Sequence, residues 1–139
     1  MSVSPVGQSA RSASILVVDD EPDVADLFRQ SFRREARQGT YVMLFAASGA
    51  EALDRLAEEI QPALMAVLSD INMPGMDGLR LLSEIKQRCP DLPVLMVTAY
   101  GDDERRHHAL GLGALDFITK PVDFDHLKAQ LRQLPTAAG

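Results

Sequence analysis

Ala66-Val67-Leu68-Ser69-Asp70-Ile71-Asn72-Met73-Pro74-Gly75 decides how the rest of the chain is read. An apolar run ends in one carboxylate, and a turn built on Pro74 and Gly75 follows at once. Continuous apolar residues without alternation mark a strand covered on both faces, because neither face meets water. A buried strand of that kind delivers Asp70 to its own carboxyl end, where open α/β sheets bind their ligands. The run begins at Ala63, just after Gln61-Pro62 closes a helix.

Upstream, Ser48 and Glu51 form a capping-box pair, and Ala52, Leu53, Leu56, Ala57 and Ile60 supply the apolar face of that helix. Tyr41 to Ala46 reads as a strand. Before it, Val24, Leu27, Phe28 and Phe32 recur at helical spacing, with Pro22 at a first turn where its missing N–H costs nothing. That helix follows the β-branched run Ile15-Leu16-Val17-Val18, which stops at Asp19-Asp20-Glu21. Downstream, Leu79, Leu82 and Ile85 mark a third helix closed by Cys89-Pro90. Pro93 to Val97 is a fourth buried strand ending at Thr98. Residues 102–112 form a weak helix whose apolar face is interrupted by Arg105-Arg106-His107-His108. Leu115 to Thr119 is a short fifth strand before Lys120-Pro121. Asp123 then caps a last helix with Phe124, Leu127, Leu131 and Leu134 inward. Five strands alternating with five helices predict a doubly wound (βα)5 fold with a parallel five-stranded sheet; we read it in the order 2-1-3-4-5, which puts strand two at the edge.

Bulk properties bound the function. The 139 residues make one domain with an apolar fraction of 46%, and no apolar run approaches the length that spans a bilayer. The net charge of -6 argues against this domain holding nucleic acid or a membrane surface by itself. Residues 1–13 read as a flexible polar arm without a signal-peptide core, which predicts a cytoplasmic protein. Residues 14–134 form the domain, and residues 135–139 are a tail. Cys89 is the single cysteine, so no internal disulfide forms.

The strand ends converge. Strand one contributes Asp19 and Asp20, strand three Asp70, strand four Thr98 and strand five Lys120, while edge strand two ends in Ala46-Ala47-Ser48. Each piece alone reads as a turn, a cap or a solvated helix start. Together, at one end of one sheet, they read as a site. Crowded carboxylates repel, and a hard divalent cation such as Mg²⁺ (or Mn²⁺) neutralises them through oxygen ligands in an open site. Without neighbouring His or Cys, zinc is disfavoured. Asp70 can then act as a nucleophile toward phosphorus, with Lys120 as a mobile positive charge and Thr98 as a hydroxyl donor.

The segments ILVVDDEPDV, LSDINMPGMDG, VLMVTAYG and GLGALDFITKP, in this order, resemble the receiver domain of two-component response regulators, a flavodoxin-like (CheY-like) fold, from Ser14 to Leu134. The resemblance implies that Asp70 is phosphorylated by a sensor histidine kinase or a histidine phosphotransfer protein. It implies Mg²⁺ on Asp20, Asp70 and the Asn72 carbonyl with help from Asp19, and phosphoryl contacts from Lys120, whose bond to Pro121 is cis. Thr98 and Phe117 would move together as a switch. The face of the fourth helix, fifth strand and fifth helix would then change for a partner or a homodimer. Tyr100 and Asn72 would modulate the lifetime of the phosphoryl group. Such a chain is a signalling domain that acts only on itself, not an enzyme with an external substrate.

Two departures stand out: extra residues near Arg34 to Gly39 and Gln61 to Leu64, and Phe117 where many relatives carry Tyr. Other classes fit less well. A dehalogenase-like phosphatase needs a second Asp where Asn72 stands. A dinucleotide oxidoreductase needs a Gly-rich loop where Asp19-Asp20-Glu21-Pro22 stands. A receiver fold kept only as an unphosphorylated scaffold has no physical use for gathered carboxylates. His107 and His108, on adjacent helix positions, read as surface residues, and Met73, Met76 and Met96 as packing.

Overall fold

The structure, a computed structural model, describes residues 12–98 and 103–134. Its elements are β1 (Ala13–Val18), α1 (Pro22–Ser31), α2 (Arg33–Arg37), β2 (Tyr41–Ala46), α3 (Gly49–Ala57), β3 (Leu64–Asp70), α4 (Gly78–Arg88), β4 (Val94–Thr98), α5 (Asp103–Gly111), β5 (Asp116–Thr119) and α6 (Phe124–Arg132). The sheet runs β2-β1-β3-β4-β5, the expected order, and every pair is parallel, as the alternation of strands and helices predicts.

Side chains alternate along each strand and feed two cores. On one face Ile15, Val17, Leu68, Leu95 and Val97 meet Phe28 and Phe32 and, from α6, Leu127 and Leu131. On the other, Leu16, Val18, Val67, Val94 and Met96 meet Ala52, Leu81, Leu82, Ile85 and Ala109. Met73 belongs to this second core and Met76 packs against it, which settles these methionines as packing.

Ser48 accepts from the Glu51 amide and Asp123 from the His126 amide, the expected caps. Asp77 does the same for α4 through the Arg80 amide.

The structure corrects several expectations. Leu27 is 53% exposed, because the buried line of α1 runs along Val24, Phe28 and Phe32 toward the rings of Phe124 and Tyr41. The extra residues after α1 fold into the separate helix α2. Phe32 lies buried at the break, with Gly39 at φ 74° closing α2. The Thr40 and Gly39 amides donate to the Glu35 and Ala36 carbonyls, a Schellman arrangement that needs the left-handed glycine. α3 stops at Ala57, and Glu58 is already extended, so Ile60 lies beyond the helix and Ala57 is exposed. β1 starts at Ala13, one residue inside the stretch read as arm, and Leu115 precedes β5 with 51% exposure.

Candidate functional site

Parallel register brings the strand ends to one level. Val18 pairs with Ser69, Asp70 with Val97, and Thr98 with Thr119. Asp19, Asp70, Thr98 and Lys120 therefore meet at the carboxyl edge of the sheet. Asp70 and Asp19 are buried carboxylates, and Thr98 is fully buried. The Lys120 ammonium lies 3.2 Å from Asp70 Oδ2, to which it donates, and 3.6 Å from Asp19 Oδ2. The Lys120 amide donates to the Thr98 carbonyl at 2.9 Å, which ties the two strand ends together. The bond from Lys120 to Pro121 is cis, as the resemblance implies.

Asp70 is held from behind. Its other oxygen, Oδ1, accepts the Asn72 amide at 3.3 Å, and the Gly78 amide at the start of α4 donates to the Ile71 carbonyl at 2.8 Å. A Cβ on Gly78 would come within 2.1 Å of the Asp70 carbonyl oxygen. Glycine is required there by close approach of two backbones.

The acidic cluster differs from the reading of the sequence. One oxygen from each of Asp19, Glu21 and Asp70 lies within 4.8 Å of the others. Asp20 is exposed and stands outside that group, although it lines one groove together with Asp19 and Glu21. The cause is local: the Glu21 amide donates to Asp19 Oδ1 at 2.9 Å, and this turn folds Glu21 back to the mouth. The acidic run itself was the available signal, but only the turn decides which of its members face Asp70.

Burial pushes the Asp19 carboxyl above the usual range, and the Asp70 charge adds to it, against the Glu21 amide and Lys120, which pull down. For Lys120, burial alone would lower the value, but Asp70 and Asp19 together outweigh it and hold the ammonium above its ordinary range. A divalent cation fits this donor set: Asp19 and Asp70 share one ammonium with the Glu21 carboxylate close beside them, and all donors are hard oxygens.

Two arginines of α5 escaped the reading of the sequence. Arg105 donates to the side-chain carbonyl of Asn72, thirty-three residues away in sequence. The Arg106 guanidinium lies 4.7 Å from the centre of the Phe117 ring, which is partly buried. No sequence signal separates these arginines from a solvated charge run, since only the packing of α5 beside β5 and the Asp70 loop brings them there. His107 and His108 are exposed, as expected. Tyr100 lies outside the described residues.

Comparison with known proteins agrees with this architecture. The family model described as "Response regulator receiver domain" matches residues 15–132. The chain is 40% identical over 119 residues to the transcriptional regulatory protein ZraR of Escherichia coli (strain K12), an alignment covering 86% of this chain and 25% of ZraR. It therefore spans about a quarter of the length of that relative. The crystal structure of the receiver domain of NtrX from Brucella abortus is similar at TM-score 0.73 and 37% identity, covering 85% of this chain and 94% of that one. A receiver domain protein from Clostridium thermocellum gives TM-score 0.77 at 28% identity, over 86% and 91% of the two chains. The chain belongs to the response regulator receiver domain family of two-component systems. It is a signalling domain, and among the described residues no helix is long and apolar enough to cross a membrane.

Proposed function

We propose that Asp70 accepts a phosphoryl group from a sensor histidine kinase or a histidine phosphotransfer protein. The observation that carries this reading is the Asp70 carboxylate itself: buried, flanked by Asp19 and Glu21, and bonded by Lys120 at 3.2 Å. In the step, a carboxylate oxygen of Asp70 attacks phosphorus and the P–N bond to the donor imidazole breaks. That electron pair stays on the imidazole, and an acyl phosphate forms. Lys120 offsets charge on the transferred group, and the Thr98 hydroxyl donates to one of its oxygens.

Asp19, Glu21 and Asp70 would hold a Mg²⁺ or Mn²⁺ ion, with the Asn72 carbonyl and Asp20 completing the set at the rim. Such an ion supplies charge neutralisation at the phosphoryl oxygens.

Thr98 and Phe117 form the switch. Phe117 has no hydroxyl, so its inward position is held by packing alone. The surface that responds is α5, β5 and α6, where Leu110 and Leu115 are 49% and 51% exposed, a fit for a partner or a second copy of the chain. Tyr100 and Asn72 tune the lifetime of the phosphoryl group, and residues 14–134 act as one receiver unit in the cytoplasm.

Incubation with Mg²⁺ and a small phosphodonor, read by intact mass, is the test. One phosphoryl mass is expected on the wild type and none on Asp70→Asn. Equal labelling of the variant would remove Asp70 from the role.

A further inference from the structure

β2 is an edge strand that its own sequence does not guard. It ends the sheet and, among the described residues, pairs with β1 alone. Tyr41 to Ala46 carry neither a charge nor a proline, two of the usual devices that discourage a further strand. The Thr40 and Ala46 carbonyls accept from the Ala13 and Asp19 amides, so these positions face β1. Backbone direction alternates along a strand, so Val42 and Leu44 also face β1, and Tyr41, Met43 and Phe45 turn their N–H and C=O groups outward. The Phe45 carbonyl bears this out, since it accepts from the Arg55 guanidinium of α3 at 3.3 Å. Tyr41 is buried, which leaves Met43 and the Phe45 N–H as the open stretch.

The flanking helices make a slot of this edge. Arg29, Arg33 and Arg37 of α1 and α2 and Arg55 of α3 line one groove with β2, and no carboxylate lines it among the described residues. On a chain of net charge -6 this is a local reversal of sign. Arg29 bonds Asp26 and lies 4.3 Å from the centre of the Phe45 ring, so it is the most committed of the four. Side chains sort by face: Met43 and Phe45 pack toward the core beneath α1, and Leu44 toward the core beneath α3. Val42, on the Leu44 side, is 37% exposed. A strand added here therefore meets three arginines on one face and an apolar surface on the other.

We propose that the β2 edge receives an extended acidic segment of a partner protein as a sixth strand. Its carboxylates face α2 and its alternate apolar side chains face Val42 and Leu44. Met43 and Phe45 supply the main-chain pairing, and the alternation of charge and apolar surface supplies the selectivity. Charge complementarity chooses this occupant. A second copy of the same edge would set arginines against arginines. A nucleic acid would leave the outward carbonyls and the apolar floor unmatched. The surface lies on the far edge of the sheet from β5 and stands apart from the reading of Asp70.

The probe is a fluorescein-labelled peptide, Glu-Val-Glu-Ile-Glu-Val-Glu amide, titrated into the whole chain at low ionic strength and read by anisotropy. Hydrogen exchange of the Met43 and Phe45 amides should slow about tenfold or more at saturation, while the Val42 and Leu44 amides, already turned to β1, change less. Arg33→Gln combined with Arg37→Gln should weaken binding about threefold to tenfold, the worth of two exposed charge contacts, and the surface control Arg88→Gln should match the wild type. Glu-Pro-Glu-Pro-Glu-Pro-Glu amide keeps the charge but cannot pair as a strand, and should bind far more weakly. Unchanged exchange at Met43 and Phe45 with about 1 mM peptide overturns the proposal, since that is the weak limit of specific recognition. Equal affinity for the proline peptide also overturns it, because charge alone would then account for binding. Slow exchange at these amides without peptide, in step with dimerisation in the ultracentrifuge, would give the edge to a second copy. Tighter, competing binding of an oligothymidylate of equal charge would give it to nucleic acid.

Discussion

Asp19 is destabilising to the fold as an anion and useful to the site for the same reason. Burial and the nearby Asp70 charge raise its carboxyl, so the folded chain holds that proton more tightly than the unfolded chain does. Its contribution to stability therefore falls as pH rises from the unfolded value near 3.8 through the raised folded value. In metal-free buffer at neutral pH, Asp19→Asn should melt above the wild type, and the gap should close as pH drops toward 4; denaturant curves across pH 4–7 will read this. Lys120 follows the same direction with pH, although here the charged form is the favoured one. Its raised value means that the stability it contributes is intact below about 10.5 and is lost as pH climbs through the folded value, which thermal melts between pH 9 and 12 can follow. Gly78 is the least replaceable residue near the site. A Cβ there meets the Asp70 carbonyl oxygen at 2.1 Å and Ile71 Cα at 2.7 Å, both backbone. Gly78→Ala should cost about 3 kcal/mol in urea unfolding, the upper range for overpacking a rigid contact, and should also slow labelling of Asp70.

At the scale of elements, α6 grips the added helix through one lysine. Lys128 reaches from α6 to the Ser31 carbonyl at 2.6 Å, to Glu35 at 3.1 Å, and over the Phe32 ring at 5.1 Å. It thereby joins α6 to the end of α1, to α2 and to the aromatic core. Lys128→Met keeps the stem packing but strands Glu35, so a loss of about 2–3 kcal/mol is expected in denaturant midpoint, below the cost of a fully buried pair because both groups are partly wet. Helix α5 is anchored the other way, by charge. Its residues 105–108, Arg-Arg-His-His, leave Ala109 as the buried contact, and Arg106 is held over Phe117. That composition leaves α5 lightly anchored by apolar burial, which suits the surface proposed to change. Arg106→Ala should lower stability by about 0.5–1 kcal/mol and move the Phe117 ring resonances in NMR.

For the whole molecule, two apolar layers hold a sheet whose carboxyl edge gathers like charges. The cores carry the stability, and the mouth spends some of it on carboxylates that a divalent cation would relieve. Mg²⁺ should therefore stabilise the fold with the logarithm of its concentration above Kd, by about 2.7 kcal/mol at one hundred times Kd. The gain should vanish in Asp19→Asn combined with Asp70→Asn, as scanning calorimetry at matched ionic strength will report.

Sequence alone determined the alternation of strands and helices, the parallel pairing, the two-sided burial of β3 and, with the family's strand order, the gathering of Asp19, Asp70, Thr98 and Lys120. Periodicity sets the elements, alternation with helical crossovers makes the sheet parallel, and parallel register aligns the strand ends. What only the tertiary structure decided are the features set by turns and by contacts between distant segments. The turn at Asp19 selected Glu21 over Asp20 for the carboxylate cluster. Packing of the aromatic rings split α1 from α2 at Phe32 and left Leu27 in solvent. The seating of α5 carried Arg105 to Asn72 and Arg106 to Phe117. A pattern of residue types specifies which side of an element is apolar, but which polar groups meet depends on where the elements finally lie against one another.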